Sequence, residues 1–288
     1  MSSPTPLRVL IGFSPRSASD DLLNSMALAL SAALDRPIQI ELMPGELGAK
    51  AARALIASPA DGNTLLVATF GTHAINPNLR TDLGYDPLLD FEPVCLATRS
   101  PLVLGTRLPV TSVQALIELG LKQTLTYGSS GVGSAPYLAG LLFEKLTGVT
   151  LVHQAYPDTR ELYVALAQGG LDLSFNNAAT MLPEVRTGTL RALAVTTAQR
   201  SAALPDVPTL EEAGLSGYAL NNWLGFVAPK GTAPAAVAVL NGAIAAALKA
   251  PQPQALLSEN GIEAMAGTPT QFARHLADER ARWAWLRG

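Results

Sequence analysis

The sequence is poor in the residues that build metal centres and disulfides. Its 288 residues include one cysteine, Cys95, and three histidines, His73, His153 and His275. A single cysteine cannot form an internal disulfide, and it excludes a metal site built from several thiolates. Cys95 lies in the apolar stretch FEPVCLA, which favours a buried structural thiol over a reactive one. No pair of histidines has metal-ligand spacing, so we expect no metal and no cofactor.

Basic clusters and long apolar runs are also missing. The net charge is −3 and no stretch concentrates Lys or Arg, which argues against a nucleic-acid partner. The most apolar stretch, residues 234–250, is interrupted by Asn241 and Gly242 and falls short of about 18 uninterrupted apolar residues. It predicts an Ala-rich core helix and not a membrane span. The start, MSSPTPLRVL, lacks the pattern of a signal peptide, so the protein is either cytosolic or has lost a leader.

Sequence motifs for nucleotide binding and nucleophilic catalysis are absent as well. Gly131-Val132-Gly133 does not extend to GxGxxG, and no Walker lysine follows. The segment GSSGV at 128–132 ends in Val132 and therefore is not a GxSxG elbow. The carboxylates Asp158, Glu161 and Asp172 are scattered. We expect no catalytic residue.

What the sequence does contain is an alternation of short apolar runs with helical patterns, typical of a parallel α/β sheet. With 48% hydrophobic residues and 288 residues in total, two domains with sizeable cores are expected. Three helical stretches at the C-terminal end are expected to pack on the first sheet. The predicted domains are 1–99 plus 222–288, and 100–221. The predicted strands are 7–13, 38–42, 65–68, 102–105, 125–127, 151–154, 171–175, 192–196 and 220–228, and the predicted helices are 19–34, 47–57, 112–121, 134–147, 159–167, 178–187, 234–249, 252–259 and 270–286.

The segment YGSSGVGSAPYLAG at 127–140 carries the strongest local signal. A strand ends at Tyr127, a loop of small residues follows, and a helix opens near Ser134 with Pro136 in its first turn. Such a loop presents N–H groups and hydroxyls to an anion at the positive end of a helix. The alternative is a turn that only requires small residues.

Other polar residues follow predicted strands, at the edge where open α/β sheets bind ligands. In TFGTHAINPNL at 69–79, Thr69, Gly71 and Thr72 offer donors, Asn76-Pro77 marks a turn, and His73 is better explained as a structural residue than as a base. Tyr156 and Asn176 line the same predicted edge or are satisfied turn residues. Trp223 either walls a cleft or fills a core.

Four stretches, taken in order, resemble the Bug-type solute receptors of tripartite tricarboxylate transporters over nearly the whole chain. They are ADGNTLLVATFGTHAINPNL (60–79), YGSSGVGSAPYLAGLLFEKLTGVTLVHQAYPD (127–158), a segment containing ALPDVPTLEEAGL (169–218), and WLGFVAPKGT (223–232). The resemblance implies a type II periplasmic binding protein with two lobes. Each lobe is then a mixed, mainly parallel sheet flanked by helices, with the ligand cleft between them.

Function and location follow from the same resemblance. It implies a periplasmic monomer, with its leader removed, that captures a small organic mono- or dicarboxylate and hands it to membrane permease subunits. The receptor itself is expected to be neither membrane-embedded nor an enzyme. Two rivals stay open, an enzyme on the same scaffold and a sensory receptor not coupled to transport.

Family ligands are held mostly by loop amides and hydroxyls, and this chain departs from the pattern in its first loop. It has SPRSASD where the family has a loop of the type PPGGGTD, and the next glycine-rich stretch is altered to PGELGAK at 44–50. Arg16 either supplies with a guanidinium what the missing glycines supply through the backbone or is a solvated loop residue. Arg99 and Arg160 are further candidate cations, each of which could instead face solvent. The positions implied to bind ligand are Phe13, Ser14, Arg16, Ser17, Ala18, Thr69, Gly71, Thr72, Ser129, Ser130, Gly131, Val132, Gly133, Ser134, Tyr156 and Asn176.

Overall fold

The computed structural model describes residues 5–13, 18–156 and 159–287, and these fall into two compact units. Unit 1 takes residues from 1–99, 223–259 and 263–288, and unit 2 takes those from 100–222 and 260–262. The chain therefore passes between the units within two strands, at 99/100 and at 222/223, and again at 259/260 and 262/263.

The described residues form ten strands and ten α-helices. The strands are β1 (Leu7–Ile11), β2 (Ile38–Leu42), β3 (Thr64–Thr69), β4 (Phe91–Thr106), β5 (Leu125–Ser129), β6 (Leu151–Ala155), β7 (Leu173–Asn177), β8 (Arg191–Val195), β9 (Asn221–Pro229) and β10 (Glu263–Ala264). The helices are α1 (Ala18–Leu34), α2 (Ala49–Ile56), α3 (Asn76–Leu79), α4 (Val113–Gly120), α5 (Ala135–Thr147), α6 (Thr159–Gln168), α7 (Ala178–Arg186), α8 (Pro234–Leu248), α9 (Pro251–Glu259) and α10 (Pro269–Arg282).

Unit 1 is built on a mixed sheet. Strand β1 lies between β2 and β3 and runs parallel to both, as the strand–helix alternation predicts. Strand β9 pairs antiparallel with β3, and β10 pairs antiparallel with β4. Leu7, Leu10 and Ile11 have no exposed surface. The apolar run Val9–Ile11 is continuous because this part of the strand is buried on both faces, whereas Arg8 is half-buried and forms an ion pair with Glu41 of β2.

The C-terminal helices belong to unit 1 and complete its core. Helix α8 buries Leu240 and Ile244, and the Phe70 and Trp283 rings meet edge to face at 5.5 Å. Trp223 is 1% exposed and packs at 5.7 Å against Phe272, so it fills the core and does not wall an open cleft. Within the described residues no single helix is long and apolar enough to cross a membrane, and α8 and α9 reach that length and apolarity only as a pair bent by 65°.

Unit 2 has its own mixed sheet. Strand β5 lies between β6 and β7 and is parallel to both, whereas β4 pairs antiparallel with β7 and β8. Helices α6 and α7 cover one side with an apolar cluster. This cluster contains Val103, Leu162, Leu166, Leu171, Ala178, Met181, Leu182, Leu190 and Val195.

Three local predictions are wrong. Strand β4 begins at Phe91 and not near residue 102, because Glu92, Pro93 and Arg99 interrupt the apolar pattern that marks a buried strand. Asn76-Pro77 opens helix α3 and is not a simple turn. Asn176 lies inside β7 and not beyond its end.

Candidate functional site

The turn after β5 is shaped by the residue that starts α5. Ser134 is the N-cap, and its Oγ accepts the Tyr137 N–H at 3.3 Å and donates to the Gly131 carbonyl at 2.7 Å. Pro136 stands in the first helical turn, where no N–H partner is needed. The Ser134 hydroxyl therefore holds the turn and the helix start together.

Ser129 and two glycines set the path of this turn. Ser129 has no exposed surface; its Oγ accepts the Gly131 N–H at 3.0 Å and lies 2.7 Å from the His153 Nε2. Gly131 has φ 128 and Gly133 has φ 83, backbone conformations that favour glycine. A Cβ built on Gly131 would meet no atom within 4 Å. The space beside the Gly131 backbone is open.

The same turn presents backbone donors without protein acceptors. Among the described residues, the N–H groups of Ser130, Val132 and Gly133 have no hydrogen-bond partner. Ser130 and Val132 are exposed. These donors lie directly before α5, whose N-terminus carries partial positive charge. The arrangement is able to accept an anion.

Tyr156 and Asn176 are tied to the end of β5. The Tyr156 N–H donates to the Ser129 carbonyl at 2.8 Å. Asn176 is buried, and its Nδ2 donates to the Ser174 Oγ at 3.0 Å, which in turn donates to the Gly128 carbonyl at 3.1 Å. The structure thus brings every predicted unit 2 site residue to one region, with Asn176 connected through an intermediate.

The predicted unit 1 site is only partly described. Ser14, Arg16 and Ser17 lie outside the described residues. Phe13 is half-buried and is the last described residue before that gap, and Ala18 begins α1.

The turn after β3 is held by a reciprocal pair of threonines. The Thr69 N–H donates to the Thr72 Oγ1 at 3.0 Å, and the Thr72 N–H donates to the Thr69 Oγ1 at 3.1 Å. Gly71 lies between them and begins a single π-helical turn that ends at Ile75. Both hydroxyls form hydrogen bonds within the turn and therefore stabilise its shape. Both residues also lie at or just beyond the end of strand β3.

His73 is a structural residue. It has no exposed surface, its Nδ1 lies 2.9 Å from the Thr72 Oγ1, and its ring packs at 4.8 Å against Phe91. Burial lowers the pKa of His73 to about 3. A histidine that stays neutral and sealed from solvent cannot serve as a general base.

The two candidate cations differ in their surroundings. Arg99 is half-buried and forms an ion pair with Glu263, with Nη2 2.7 Å from the carboxylate oxygen. Its charge is therefore already balanced within unit 1. Arg160 is exposed on α6.

His153 is the residue near the unit 2 turn that sequence reasoning missed. Its neighbour Ser129 is 24 positions away, and only the register of β5 against β6, with Tyr127 opposite His153, brings the two side chains together. No local pattern carries that information.

Known proteins with a similar sequence or structure identify the family. Residues 22–286 match the family model of the tripartite tricarboxylate transporter family receptor. Protein BugT of Bordetella pertussis is 30% identical over 284 residues, covering 97% of this chain and 87% of BugT.

Two solved structures extend the match to the whole fold. R. palustris Rpa4515, solved with adipate, has a TM-score of 0.84 at 36% identity and covers 98% of this chain and 96% of its own. MatC from Rhodopseudomonas palustris, solved with bound malate, has a TM-score of 0.84 at 29% identity, covering 99% of this chain and 100% of its own. The predicted fold, that of a periplasmic solute-binding protein built from mixed α/β sheets, is confirmed. This chain belongs to the tripartite tricarboxylate transporter family of receptors.

Proposed function

We propose that this receptor works in the periplasm, where it binds a small organic mono- or dicarboxylate at the turn 129–134 and delivers it to membrane permease subunits. One observation carries the proposal. Three N–H groups in that turn have no protein acceptor among the described residues, and they stand at the N-terminus of α5. Family membership supports the coupling to a transporter. The carboxylates of the two Rhodopseudomonas structures, adipate and malate, support the ligand class.

The proposed binding mode uses backbone donors on a rigid frame. The hydroxyls of Ser129 and Ser134 hold the turn, so the free N–H groups of Ser130, Val132 and Gly133 are oriented before the ligand arrives. Charge-assisted hydrogen bonds contribute about 1.5–3 kcal/mol each. Micromolar binding needs about 8 kcal/mol net, which is more than three such bonds supply after the cost of association, so the proposal also needs contacts from unit 1.

The ligand contacts proposed for unit 1 rest on the sequence. The family resemblance implies a second set of contacts from the first loop, from Thr69–Thr72, and from Arg16 in particular. In this proposal the predicted domains, 1–99 with 222–288 and 100–221, capture the ligand between them.

We propose binding without chemistry. The Ser129 hydroxyl lies beside an imidazole, as a nucleophile would, but Ser129 is fully buried and its oxygen already accepts the Gly131 N–H. A substrate carbonyl has no approach to that oxygen. His73 is neutral and sealed.

A thermal-shift screen of ligand-free protein tests the function. The panel contains acetate, succinate, adipate, malate and citrate, with glucose and lysine as controls. A ligand present at 100 times its dissociation constant adds about 2.7 kcal/mol of stability. At least one carboxylate should raise the melting temperature while glucose and lysine do not. A response to the controls alone would overturn the proposal, and so would turnover of a bound carboxylate ester during incubation.

A further inference from the structure

His153 stands behind the turn 129–134, in contact with the residue that shapes it. Its Nε2 lies 2.7 Å from the Ser129 Oγ, and that oxygen accepts the Gly131 N–H at 3.0 Å. The chain of contacts runs from the imidazole through one hydroxyl to the peptide at the centre of the turn. A change at His153 therefore reaches the turn without His153 touching a ligand.

We propose that His153 is a positioning residue for carboxylate binding, which holds the turn through the Ser129 hydroxyl and places a titratable charge behind the free N–H groups. This inference rests on the proposed function, because it assigns a role to His153 at the same turn.

Both protonation states of His153 fit the observed contacts. A neutral imidazole accepts the Ser129 O–H at Nε2. A protonated imidazole donates from Nε2 to the Ser129 Oγ, and the hydroxyl hydrogen then turns to the Gly131 carbonyl, 3.4 Å away. The Gly131 N–H keeps its acceptor in either case. The turn thus tolerates a positive charge directly behind the place where an anion is expected.

The surroundings of His153 make its charge responsive to an anion. The rings of Tyr127 from β5 and Tyr137 from α5 pack on it at 5.0 and 4.8 Å, and no charged side chain among the described residues shifts its pKa. Burial alone lowers the pKa of His153 from its usual value. A carboxylate bound at the turn favours the protonated imidazole and raises that pKa. The gain in affinity is therefore complete below the pKa of the free protein and is lost as the pH rises through the pKa of the complex.

The other histidines do not obscure this signal. Burial lowers the pKa of His73 to about 3 and that of His275 to about 4, so both are neutral above pH 6. The chain has three histidines in all. A histidine-dependent change in affinity between pH 6 and pH 8 therefore reports on His153.

The test is isothermal titration at pH 6.0 and pH 8.0 with the tightest-binding carboxylate of the panel. The wild-type protein should bind about two- to fivefold more tightly at pH 6.0. His153→Gln can still hydrogen-bond Ser129 but cannot titrate, so it should bind within about threefold of wild type at pH 8.0 and lose the dependence on pH. His153→Leu should bind about tenfold more weakly than wild type at pH 8.0, because the Ser129 hydroxyl loses the imidazole, and the deficit should be larger at pH 6.0, because leucine cannot titrate.

Matched controls separate the possible failures. His275→Gln should keep the wild-type pH dependence of binding. Titration of the ligand's own carboxyl groups contributes equally in every variant, so it cancels when variants are compared. Titrations at pH 6.5 in two buffers of different ionisation enthalpy should show more proton uptake for wild type than for His153→Gln. Carboxylate binding with equal pH dependence in wild type and His153→Gln overturns the role of His153 and leaves the function standing. Failure of every carboxylate in the panel overturns both.

Discussion

The Cγ2 methyl of Thr72 lies where a side chain on Gly48 would begin, because a Cβ built on Gly48 falls 2.5 Å from it. On the other side, a Cβ on Gly12 would lie 2.8 Å from the Gly48 Cα. The loop after β1, the turn after β2 and the turn after β3 are therefore packed together in unit 1 around a residue that has no side chain. Only glycine allows this close approach.

Gly48→Ala is expected to lower the free energy of unfolding by about 2–4 kcal/mol, from overpacking and from strain at its φ of 91. Gly45→Ala is the matched control, since its φ is 132 but the nearest atom to its Cβ is 3.8 Å away; it should lose only about 1–2 kcal/mol. Thr72→Ser removes the obstructing methyl and should recover part of the Gly48→Ala loss. Urea denaturation measures all of these, and equal losses at the two glycines would contradict the packing argument.

Gly131→Val tests whether the turn 129–134 binds the carboxylate. Gly148 ends the same helix that this turn begins, and Gly148→Val is its control because both glycines have positive φ and open space around the Cβ position. Each variant should lose about 1–3 kcal/mol of stability from backbone strain. Calorimetric titration should show that only Gly131→Val loses carboxylate affinity, by about tenfold or more. Equal affinity in the two variants would place the anion elsewhere.

Glu279 should make unit 1 less stable as the pH rises. It is 9% exposed, and burial raises its pKa above the usual value, so the folded protein holds this proton more tightly than the unfolded chain does. The cost of ionising it is absent below the pKa of the unfolded chain and grows as the pH rises through the pKa of the folded protein.

Glu279→Gln keeps an acceptor for the Trp223 Nε1, 3.4 Å away, and cannot ionise. Its free energy of unfolding should therefore rise relative to wild type between pH 4 and pH 8, as measured by denaturant titration at each pH. The exposed neighbour Asp278 supplies the control Asp278→Asn, which should follow wild type. A constant difference between Glu279→Gln and wild type across this range would show that burial does not penalise the charge.

Cys95 should be inert in the folded protein. It has no exposed surface, and burial raises the pKa of its thiol to about 12. Modification by a disulfide reagent at pH 8 should be at least about a hundredfold slower in buffer than in denaturant, because reaction requires opening of unit 1. It is the single cysteine of the chain, so the signal has one source. Rapid modification of native protein would show that this core opens locally.

The sequence by itself determined most of the elements and the shape of the unit 2 turn. Strand β2 matches its predicted bounds because the alternation of apolar and polar residues in IQIEL is a local property. The start of α5 was readable for the same reason, since an N-cap serine and a first-turn proline act within a few residues. Family membership and the chemistry expected of the ligand also came from local motifs.

Tertiary structure alone decided what those elements pack against. Strand β4 extends back to Phe91 because pairing with its neighbours satisfies the backbone of a segment whose own pattern is broken. Trp223 is a core residue because α10 places the ring of Phe272 against it. His153 lies beside Ser129 because of the register between strands β5 and β6. Periodicity encodes which face of an element is buried, whereas strand order and register depend on contacts between distant residues, and these form only when the whole unit folds.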